Sequence, residues 1–575
     1  MARANDEVEA LLYEYTDLLA ILSTDPFKPR AFEKAARSVG GYHQDIANLD
    51  LKGLLQIPAV GRSIAEKILE YLQTGHIAEL DEMRSQIPAG VREIMAVPGL
   101  GPKKAMLLYE QRGIASVDDL KAAIDGGRLA GLKGFGAKTE ENILRGIATR
   151  QTAGGRMQLG AAWNLAEQVI SELSDLPQVS RITYAGSLRR MAETIGDVDV
   201  LVTSTDATPI MDRFVASDLV DQVLAHGETK SSIVTGDGHQ VDLRVVAPEV
   251  WGAALIYFTG SKGHNVRIRE IAVRKGFKLS EYGLFVAKTG NLIAAEREER
   301  VYEELGLPWI PPAMREDRGE IEAALDGTLP TVIEPKQIKG DLHTHTNLTD
   351  GLASLEEMLD TAAQLRYGYY AITDHAPNLA MQRMTDAKIK AQQRKVRGLQ
   401  DRYPKMALLH GSELNIDPDG EVDWPEEFLA SFDLTVASVH SHFNQTREEM
   451  TRRFIRAMEN PFVNIIGHPT TRRIGQREPV DVDLDAIFEA AARTGTALEI
   501  NAHPDRLDLK DEHVLWARRH GARFAIDTDA HSVPDLDTMR FGVGTAQRGW
   551  LTKEDVINAW PWAKLQRFLR KGRKA

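Results

Sequence analysis

The chain begins with apolar residues at helical spacing. Between residues 5 and 22, one helix face carries Val8, Leu11, Leu12, Tyr15, Leu18, Leu19 and Leu22. Side chains three and four positions apart lie on the same face of a helix. The stripe therefore predicts an amphipathic helix that packs on a core and ends at the segment 23–26.

From residue 181 onward the pattern changes to the alternation that is typical of strands. Residues 181–185 alternate polar and apolar, and Gly196 leads into a second predicted strand at 197–202. Side chains two apart in a strand point to the same face, so Asp197 and Asp199 should converge while Val198 enters the core. A third predicted strand, 239–246, carries Asp242 at its centre.

The C-terminal part of the chain alternates short apolar runs with helical segments such as 483–494. The runs lie at 370–373, 434–437, 463–466 and 497–500. This alternation predicts a β/α barrel, in which functional side chains gather at the C-terminal ends of the strands. Histidines and carboxylates follow most of these runs.

The composition is that of a multidomain globular protein. The chain has 575 residues, of which 43% are hydrophobic and 27% charged, so we expect three or four domains. It contains no cysteine, which excludes disulfides, thiolate zinc sites and cysteine nucleophiles. It also lacks an apolar signal core and any uncharged run near the roughly 18 residues of a membrane span, and we therefore expect a cytosolic protein without membrane contact.

The net charge of −13 argues at first against a polyanionic partner. The distribution of charge matters more than its sum, because basic residues can line a groove in an acidic protein. The basic tail at 564–575 is expected to be a solvated terminus with weak nucleic-acid contact at most.

Asp197, Asp199 and Asp242 predict a metal site. Hard oxygen ligands on one rigid face suit a pair of Mg²⁺ ions. Two ions held by three carboxylates can clamp the attacking and leaving oxygens of an in-line phosphoryl displacement. An Asp-x-Asp pair alone is more typical of a solvated edge strand, but the upstream turn Gly186-Ser187 and the third carboxylate favour the metal site.

A glycine-bearing turn recurs three times in the first 140 residues. The copies contain Gly61, then Gly99, Gly101 and Lys103, then Gly134, Gly136 and Lys138. Such turns resemble helix-hairpin-helix motifs, whose backbone N–H groups bind a DNA phosphate without reading bases. A single Gly-x-Gly turn is more often a helix C-cap, but three in series favour a DNA-binding repeat.

Residues 1–310 resemble family X DNA polymerases, the group that contains DNA polymerase beta. The matching residues are Gly186, Ser187, Arg190, Gly196, Asp197, Asp199, Asp242, Tyr257, Phe258, Thr259, Gly260, Ser261, Asn265 and Arg269. The resemblance implies a nucleotidyltransferase-type α+β core in which Ser187 and Arg190 hold the triphosphate of a deoxynucleotide. The nucleotide site would also include Gly186, Gly196, Gly260 and Ser261.

The same resemblance gives the remaining residues of this site their roles. Asp197 and Asp199 would bridge two Mg²⁺ or Mn²⁺ ions, and Asp242 would hold the ion that activates the primer 3′-hydroxyl. Gln240 stands where polymerase beta has an arginine.

Four residues further along would contact the nascent base pair. By the resemblance, Tyr257 and Phe258 pack against the incoming sugar, and Asn265 and Arg269 face the minor groove. The alternatives are strand core for the two aromatic residues and a solvated helix charge for Arg269.

Lys67 falls on the position of the lysine with which polymerase beta removes 5′-deoxyribose phosphate through a Schiff base. Such a lysine must be partly neutral, which requires desolvation or nearby positive charge. The alternative, a helix lysine that contacts phosphate, explains Lys67 equally well.

Residues 340–575 resemble the polymerase and histidinol phosphatase (PHP) domain, a distorted TIM-like β/α barrel. All nine ligand positions of that family are filled, by His343, His345, Asp350, His375, Glu413, His440, His468, Asp529 and His531. The resemblance implies a trinuclear phosphoesterase cluster in which Glu413 bridges two ions. Histidine and carboxylate without thiolate suit Mn²⁺, Zn²⁺ or Fe²⁺. Arg472 is predicted to contact phosphate, whereas His442 and His503 are not expected to be ligands.

These observations predict a helical 8-kDa-like helix-hairpin-helix domain at 1–90, a fingers-like helix-hairpin-helix region at 91–155, and a palm core at 156–240. The rest of the palm with a thumb-like region at 241–310, a proline-bearing linker at 311–339 and the PHP domain at 340–575 would follow.

The expected function is gap-filling DNA synthesis in repair, joined to a 3′→5′ exonuclease. A 3′-phosphatase, an abasic-site endonuclease and a 5′-deoxyribose-phosphate lyase are further activities of such a chain. The expected partners are gapped or nicked DNA, deoxynucleoside triphosphates and base-excision-repair proteins, with the chain as a monomer in the bacterial cytosol. The alternatives are a non-templated nucleotidyltransferase fused to a small-molecule phosphatase, and a non-catalytic DNA-end scaffold.

Overall fold

The computed structural model describes residues 4–22, 27–40, 46–57, 59–95, 100, 102–129, 132, 135–136, 139–140, 143–144, 156–379 and 384–571. Of the predicted hairpin residues, Gly99, Gly101, Gly134 and Lys138 lie outside the described residues. Among the helices that are described, none combines the length and apolar character that crossing a bilayer requires.

The N-terminal part is helical. Its helices are α1 Ala4–Leu22, α2 Phe27–Gly40, α3 Leu51–Leu54, α4 Arg62–Thr74, α5 Ala78–Gln86, α6 Ala89–Met95, α7 Pro102–Arg112 and α8 Val117–Asp125. Five of the seven residues in the predicted apolar stripe of α1 are buried, whereas Leu11 is half-buried and Leu22 is 38% exposed. The ring of Tyr15 stacks on that of Phe32 in α2 at 4.3 Å between centroids. One hydrophobic cluster runs from Val8 to Ile143. The regions predicted at 1–90 and 91–155 therefore share a core.

The central part is built on a mixed sheet. Its elements are β1 Met157–Gln158, α9 Leu159–Ser174, β2 Arg181–Tyr184, α10 Gly186–Arg189, β3 Thr194–Ile195, β4 Asp197–Thr203, α11 Thr208–Val215, β5 Val220–His226, β6 Lys230–Thr235 and β7 Gln240–Val246. Five strands pair in the order β2-β4-β7-β6-β5. The neighbours β4 and β7 run parallel, and Asp199 lies opposite Asp242. The three strands expected from the alternation are thus confirmed.

The segment that follows packs on the sheet. Its elements are α12 Trp251–Thr259, α13 Lys262–Arg274, β8 Phe277–Ser280, β9 Gly283–Val286, β10 Leu292–Ala294, α14 Glu298–Glu304 and α15 Glu320–Leu325. Tyr257 and Phe258 belong to α12, so the alternative that placed them in a strand is wrong.

The predicted linker 311–339 is packed into the fold over much of its length. Met314, Ile321 and Val332 join the same hydrophobic cluster as Ile256, and Arg315 is fully buried. Pro312 and Pro335 each begin a short 3-10 helix. The segment is therefore a packed connection rather than an exposed spacer.

The C-terminal part is a barrel of seven parallel strands in sequence order. Its elements are β11 Gly340–Asp341, α16 Leu355–Gln364, β12 Tyr369–Ile372, α17 Asp386–Leu399, β13 Ala407–Asn415, α18 Glu426–Leu429, β14 Leu434–Ser438, α19 Arg447–Glu459, β15 Ile465–Ile466, α20 Leu484–Thr494, β16 Ala497–Asn501, α21 Asp511–Arg519, β17 Arg523–Asp527, α22 Met539–Arg548 and α23 Trp562–Leu569. A bridge from Thr344 to Ala530 brings the first and last strands together.

The barrel packs directly against the central sheet. Leu507 and Phe541 belong to the hydrophobic cluster of the central part. A side chain on Gly160 would place its Cβ 2.8 Å from Pro504, so the glycine permits close approach. Gln158 donates from Nε2 to the Ile474 carbonyl at 3.1 Å. The two parts therefore share an apolar and hydrogen-bonded interface.

Candidate active sites

Three carboxylates converge on the central sheet. The register of β4 and β7 brings Asp199 opposite Asp242, and Asp197 lies two residues away on the same face of β4. One ligand oxygen from each residue lies within 4.8 Å of those of the others. Asp242 is buried, whereas Asp197 is exposed, so the cluster opens to solvent on one side. This arrangement can hold divalent ions, as the spacing predicts.

The charge on the three carboxylates is unevenly compensated. Burial, followed by the charges of Asp197 and Asp242, raises the pKa of Asp199 to about 7. Burial acts in the same direction on Asp242, but Lys230 Nζ at 2.6 Å and Gln240 Nε2 at 2.9 Å hold the pKa of Asp242 below its ordinary value. Lys230, on the neighbouring strand β6, is a site residue that the sequence pattern did not reveal.

Gly186 is required by a close approach rather than by a turn alone. Its φ is +57°, and a Cβ at this position would lie 2.1 Å from Asp199 Oδ2. The next turn is the short helix α10, which carries half-buried Ser187. The Gly-Ser turn and the carboxylates are therefore in direct contact, which explains their spacing in the sequence.

Arg190 follows α10 and is held on two sides. Its Nε lies 3.0 Å from Glu316 Oε1, and its Nη1 donates to the Thr259 carbonyl at 2.6 Å. Gly260 approaches the same guanidinium, with a would-be Cβ 3.2 Å from Nη1. Arg190 and the Gly260-Ser261 turn thus form one wall of the predicted nucleotide site.

The predicted base-pair contacts lie at the junction of α12 and α13. Asn265 donates from Nδ2 to the Tyr257 carbonyl at 2.8 Å, and its buried Oδ1 has no partner among the described residues. Tyr257 is 38% exposed, while Phe258 lies under the Arg244 guanidinium at 4.6 Å. Exposed Arg269 lies 5.9 Å from the Tyr257 ring. Tyr257 and Arg269 therefore share a surface that a ligand can reach, whereas the side chain of Asn265 is buried beside them.

The hairpins are described only in part. Gly61 precedes α4 and is exposed, with open space around it, and exposed Lys103 lies in the first turn of α7. Exposed Gly136 accepts from the backbone N–H of Thr139 at 2.8 Å. These three positions are accessible to a phosphate backbone.

Lys67 lies on α4, and its side chain is 16% exposed. Its Nζ makes an ion pair with Glu79 and lies 5.6 Å from the centre of the Tyr15 ring. The ion pair lowers the pKa of Glu79, although burial opposes the shift. The amine of Lys67 is thus engaged in an ion pair, whereas a Schiff-base nucleophile must be free to attack its substrate.

All nine predicted barrel ligands meet at one end of the barrel. They occupy the ends of strands β11 to β15 and β17 and the loops that follow them, with Glu413 at the centre. Three groups have ligand atoms within 4.8 Å of one another, namely His343, His345, Glu413 and Asp529; His345, Asp350, His375 and His531; and His375, Glu413 and His440. His468 adds its Nε2 at 3.1 Å from Glu413 Oε1.

The chemistry of this cluster fits metal ions. His343 Nε2, His345 Nδ1 and Nε2, and His375 Nδ1 are buried and have no hydrogen-bond partner among the described residues. Carboxylate oxygens of Glu413 and Asp529 lie 2.9 to 3.5 Å from three of these nitrogens without hydrogen-bond geometry. Burying such a set of polar atoms is costly unless a cation binds them. Burial acts to lower the pKa of His343, but the carboxylates of Asp529, Glu499 and Glu413 raise it well above its usual value, which shows how negative the pocket is.

Two further residues orient the ligands. Glu499, on β16, accepts from His343 Nδ1 at 2.6 Å, and Asn415 Oδ1 lies 2.7 Å from His440 Nδ1. A carboxylate behind a metal-binding imidazole fixes its tautomer and orientation. No sequence pattern singled out either residue, because Asn415 lies within a strand and Glu499 lies inside the apolar run 497–500.

Two arginines near the cluster have different surroundings. Arg472 donates from Nη2 to Glu193 of the central part at 2.8 Å and to the Leu507 carbonyl, so it lies in the interface between the parts. Arg506 places its Nε 3.8 Å from Asp529 Oδ2, and its buried Nη1 has no partner among the described residues. His503 Nδ1 lies 2.5 Å from Asp505 Oδ1, and His442 Nδ1 lies 3.0 Å from Ser441 Oγ.

Comparisons with known proteins follow the same division of the chain. The matching family models are a helix-hairpin-helix domain at residues 3–77, a SAM-like helix-hairpin-helix tandem at 91–149, the DNA polymerase beta palm at 161–241, the DNA polymerase beta thumb at 254–316 and the PHP domain at 341–503. The protein is therefore a nucleotidyltransferase of the polymerase beta type, joined to a PHP domain. Both families depend on metal ions.

Similar proteins of known name identify the family of the chain more narrowly. The "DNA polymerase/3'-5' exonuclease PolX" of Bacillus subtilis (strain 168) is 34% identical over 568 residues, which cover 98% of this chain and 99% of that protein. The chain belongs to this PolX family of family X DNA polymerases. DNA polymerase lambda of Rattus norvegicus is 29% identical over 51% of this chain and 53% of its own length. DNA polymerase lambda of Arabidopsis thaliana is 27% identical over 46% of this chain and 53% of its own length.

We expect Gly186→Ala to lower primer extension by about 100-fold or more, because the new methyl group would displace the Asp199 carboxylate and misplacements of about 1 Å can cost that much. Steady-state extension of a gapped duplex measures the effect. Gly236→Ala is the control, since a Cβ there meets nothing within 4 Å. Equal loss in both variants would contradict the role given to Gly186.

We expect Glu499→Gln to weaken metal binding by the barrel about tenfold to 100-fold, the usual cost of losing an orienting carboxylate. Titration of the full-length protein with Mn²⁺, followed by calorimetry, measures it. The exposed Glu489→Gln on α20 serves as the control. Unchanged affinity in the Glu499 variant would show that His343 needs no such support.

Proposed function

We propose that the chain fills short gaps in DNA by template-dependent synthesis and degrades DNA from the 3′ end at a second site. The observation that carries the proposal is the presence, in one chain, of two separate ligand clusters. One consists of three aspartates on the central sheet, and the other of histidines and carboxylates at the end of the barrel. Phosphoryl transfer and phosphoester hydrolysis are what such clusters support when loaded.

Mg²⁺ or Mn²⁺ is the proposed cofactor of the aspartate cluster, where the ions would neutralise the phosphate oxygens and lower the pKa of the attacking hydroxyl. The residues of the chain supply the positioning. Arg190 and Ser187 would bind the triphosphate, and Asn265 and Arg269 would face the minor groove of the nascent pair. Lys230 and Gln240 hold Asp242 in its ionised, oriented state beside the primer end.

For the barrel we propose three ions drawn from Mn²⁺, Zn²⁺ and Fe²⁺, which together would supply an activated water. Glu499 and Asn415 orient two of the histidine ligands. Arg506 Nε lies 3.8 Å from Asp529 Oδ2, and its Nη1 has no hydrogen-bond partner among the described residues. Arg506 is therefore better placed than Arg472 to contact the scissile phosphate. 3′-Phosphatase and abasic-site endonuclease activities would use the same residues.

The biological setting follows from these activities. Gapped or nicked duplex DNA is the proposed substrate, bound by hairpin backbone amides next to Gly61 and Gly136. Deoxynucleoside triphosphates are the second substrate, base-excision-repair proteins are the proposed partners, and a monomer in the bacterial cytosol is the proposed state. A 5′-deoxyribose-phosphate lyase at Lys67 would require the Glu79 ion pair to open.

Two other functions are tested by the same assays. A non-templated nucleotidyltransferase would extend a single strand as readily as a gapped duplex. A small-molecule phosphatase would hydrolyse simple phosphoesters and leave a DNA 3′ end intact. The hairpin repeat favours the DNA enzyme over both.

We expect Asp197→Ala to abolish extension and to leave the nuclease intact, while His343→Ala should do the reverse, because the ligands belong to different clusters. Gapped duplex is incubated with Mn²⁺, with and without nucleotides, and both lengthening and shortening are measured. Asp218→Ala and His520→Ala are controls outside both clusters. Loss of both activities in either folded variant would refute the two-site assignment.

We expect Arg506→Ala to lower exonuclease kcat/KM by about tenfold to 100-fold, because hydrogen bonds to charged groups are worth about 1.5–3 kcal/mol. Arg472→Ala should have a smaller effect, since Arg472 pairs with Glu193. The exposed Arg456→Ala is the control. A larger loss in the Arg472 variant would return the phosphate contact to that residue.

A further inference from the structure

Helix α22 of the PHP domain contacts the turn of the polymerase core that carries Arg190. A Cβ on Gly544, in α22, would lie 2.7 Å from Met191 Cγ. Met191 is the residue after Arg190, and its backbone has φ of +55°. The turn that carries Arg190 is therefore built against the PHP domain rather than standing free in the palm.

Arg548, at the end of α22, makes the polar part of this contact. Its Nη1 donates to the backbone carbonyl of Arg190 at 2.8 Å and also contacts Glu316 Oε1 at 2.5 Å. On its other edge, Nε pairs with Asp511 Oδ2 at 2.8 Å. The side chain is only 7% exposed. Arg548 is thus a buried guanidinium fixed by two carboxylates and a carbonyl.

Glu316 joins this arginine to Arg190. One oxygen, Oε1, receives both Arg548 Nη1 and Arg190 Nε, the latter at 3.0 Å. Burial acts to raise the pKa of Glu316, but Arg548 and Arg190 hold it below its ordinary value, so the carboxylate is charged. A charged carboxylate shared by two buried arginines has a position that depends on both.

The contacts of Arg190 leave part of its guanidinium available. Nε faces Glu316, and Nη1 donates to the Thr259 carbonyl at 2.6 Å. In the part of the chain that the structure describes, Nη2 has no hydrogen-bond partner. This edge is the one with which Arg190 can bind a phosphate.

Asp511 links Arg548 to Arg318, which belongs to the connection between the polymerase core and the barrel. Its Oδ2 receives Arg548 Nε and also Arg318 Nη1 at 2.9 Å. The chain of alternating charges therefore runs from the connection 311–339 through the PHP domain to the nucleotide loop. No member of it belongs to the barrel's ligand cluster.

We propose that Arg548 of the PHP domain is a positioning residue for nucleotide binding in the polymerase site. Arg548 binds the backbone carbonyl of Arg190 and shares the carboxylate of Glu316 with the Arg190 side chain. The negative charge of Glu316 is therefore divided between two guanidinium groups, and the carboxylate aligns Arg190 without fully neutralising it. The Nη2 edge of Arg190 then stays directed to the triphosphate. The inference rests on the proposed role of Arg190 in binding that triphosphate. It makes the PHP domain a structural part of the polymerase site, independently of hydrolysis.

The test uses the full chain and a gapped duplex. Arg548→Ala should raise the KM for the deoxynucleotide on the order of tenfold, because hydrogen bonds to charged groups are worth about 1.5–3 kcal/mol and the effect on the nucleotide is indirect. The kcat should change by less than about threefold, and exonuclease activity without nucleotides should be unchanged. Arg548→Lys should recover only part of the KM, since an ammonium lacks the two-edged fork.

Further variants separate positioning from general destabilisation. Arg518→Ala removes another arginine–aspartate pair of the same domain, the one with Asp555, and should leave the KM unchanged. Combining Arg548→Ala with Glu316→Gln should raise the KM no more than the stronger single change, because both act through one carboxylate. If Arg548→Ala does not fold, Arg548→Lys and Asp511→Asn replace it.

Three results would overturn the proposal. The first is an unchanged KM in Arg548→Ala while Arg190→Ala raises it, in which case the proposed function stands. The second is a parallel fall of extension and exonuclease, which would indicate a structural role alone. The third is an unchanged KM in Arg190→Ala itself, which would refute the nucleotide-binding role of Arg190 and the inference with it.

Discussion

Metal-ligating side chains brought close together out of water are the constraint on which both sites depend. Asp199 is buried beside two other carboxylates, and its pKa rises to about 7. In the barrel, buried imidazoles surround the carboxylate of Glu413, and several of their nitrogens make no hydrogen bond within the part of the chain that the structure describes. Each arrangement is unfavourable for the protein alone and becomes favourable when cations bind. The strands must be rigid enough to hold the ligands together without the ions, and pairing in a sheet supplies that rigidity.

The two sites satisfy this constraint in different ways. The aspartate cluster is open to solvent on one side. At its buried end, the ammonium group of Lys230 forms an ion pair with Asp242. The barrel cluster is more deeply buried, although the side chain of His531 is 33% exposed, and His343 is oriented from behind by Glu499.

The interface between the polymerase core and the barrel is a packed interface and not only a covalent connection. Apolar side chains of the barrel complete the core of the central sheet, and small residues such as Gly160 and Gly544 allow close approach. Ion pairs in such an interface are specific because each buried charge must find its partner. Glu316 therefore lies between Arg190 of one part and Arg548 of the other.

The sequence alone determined the elements, and predicted the candidate ligands, whose signals are local. The alternation around Asp197 and Asp199, and the histidines that end apolar runs, are periodic patterns that hold in any surroundings. Tertiary structure alone decided what lies across strands and domains. Lys230 reaches Asp242 from another strand, Arg506 faces the cluster while Arg472 does not, and Arg548 meets Arg190 across more than 350 positions. The residues next to an arginine in the sequence do not indicate which distant carboxylate will pair with it, because that pairing depends on which charges the folded chain buries together.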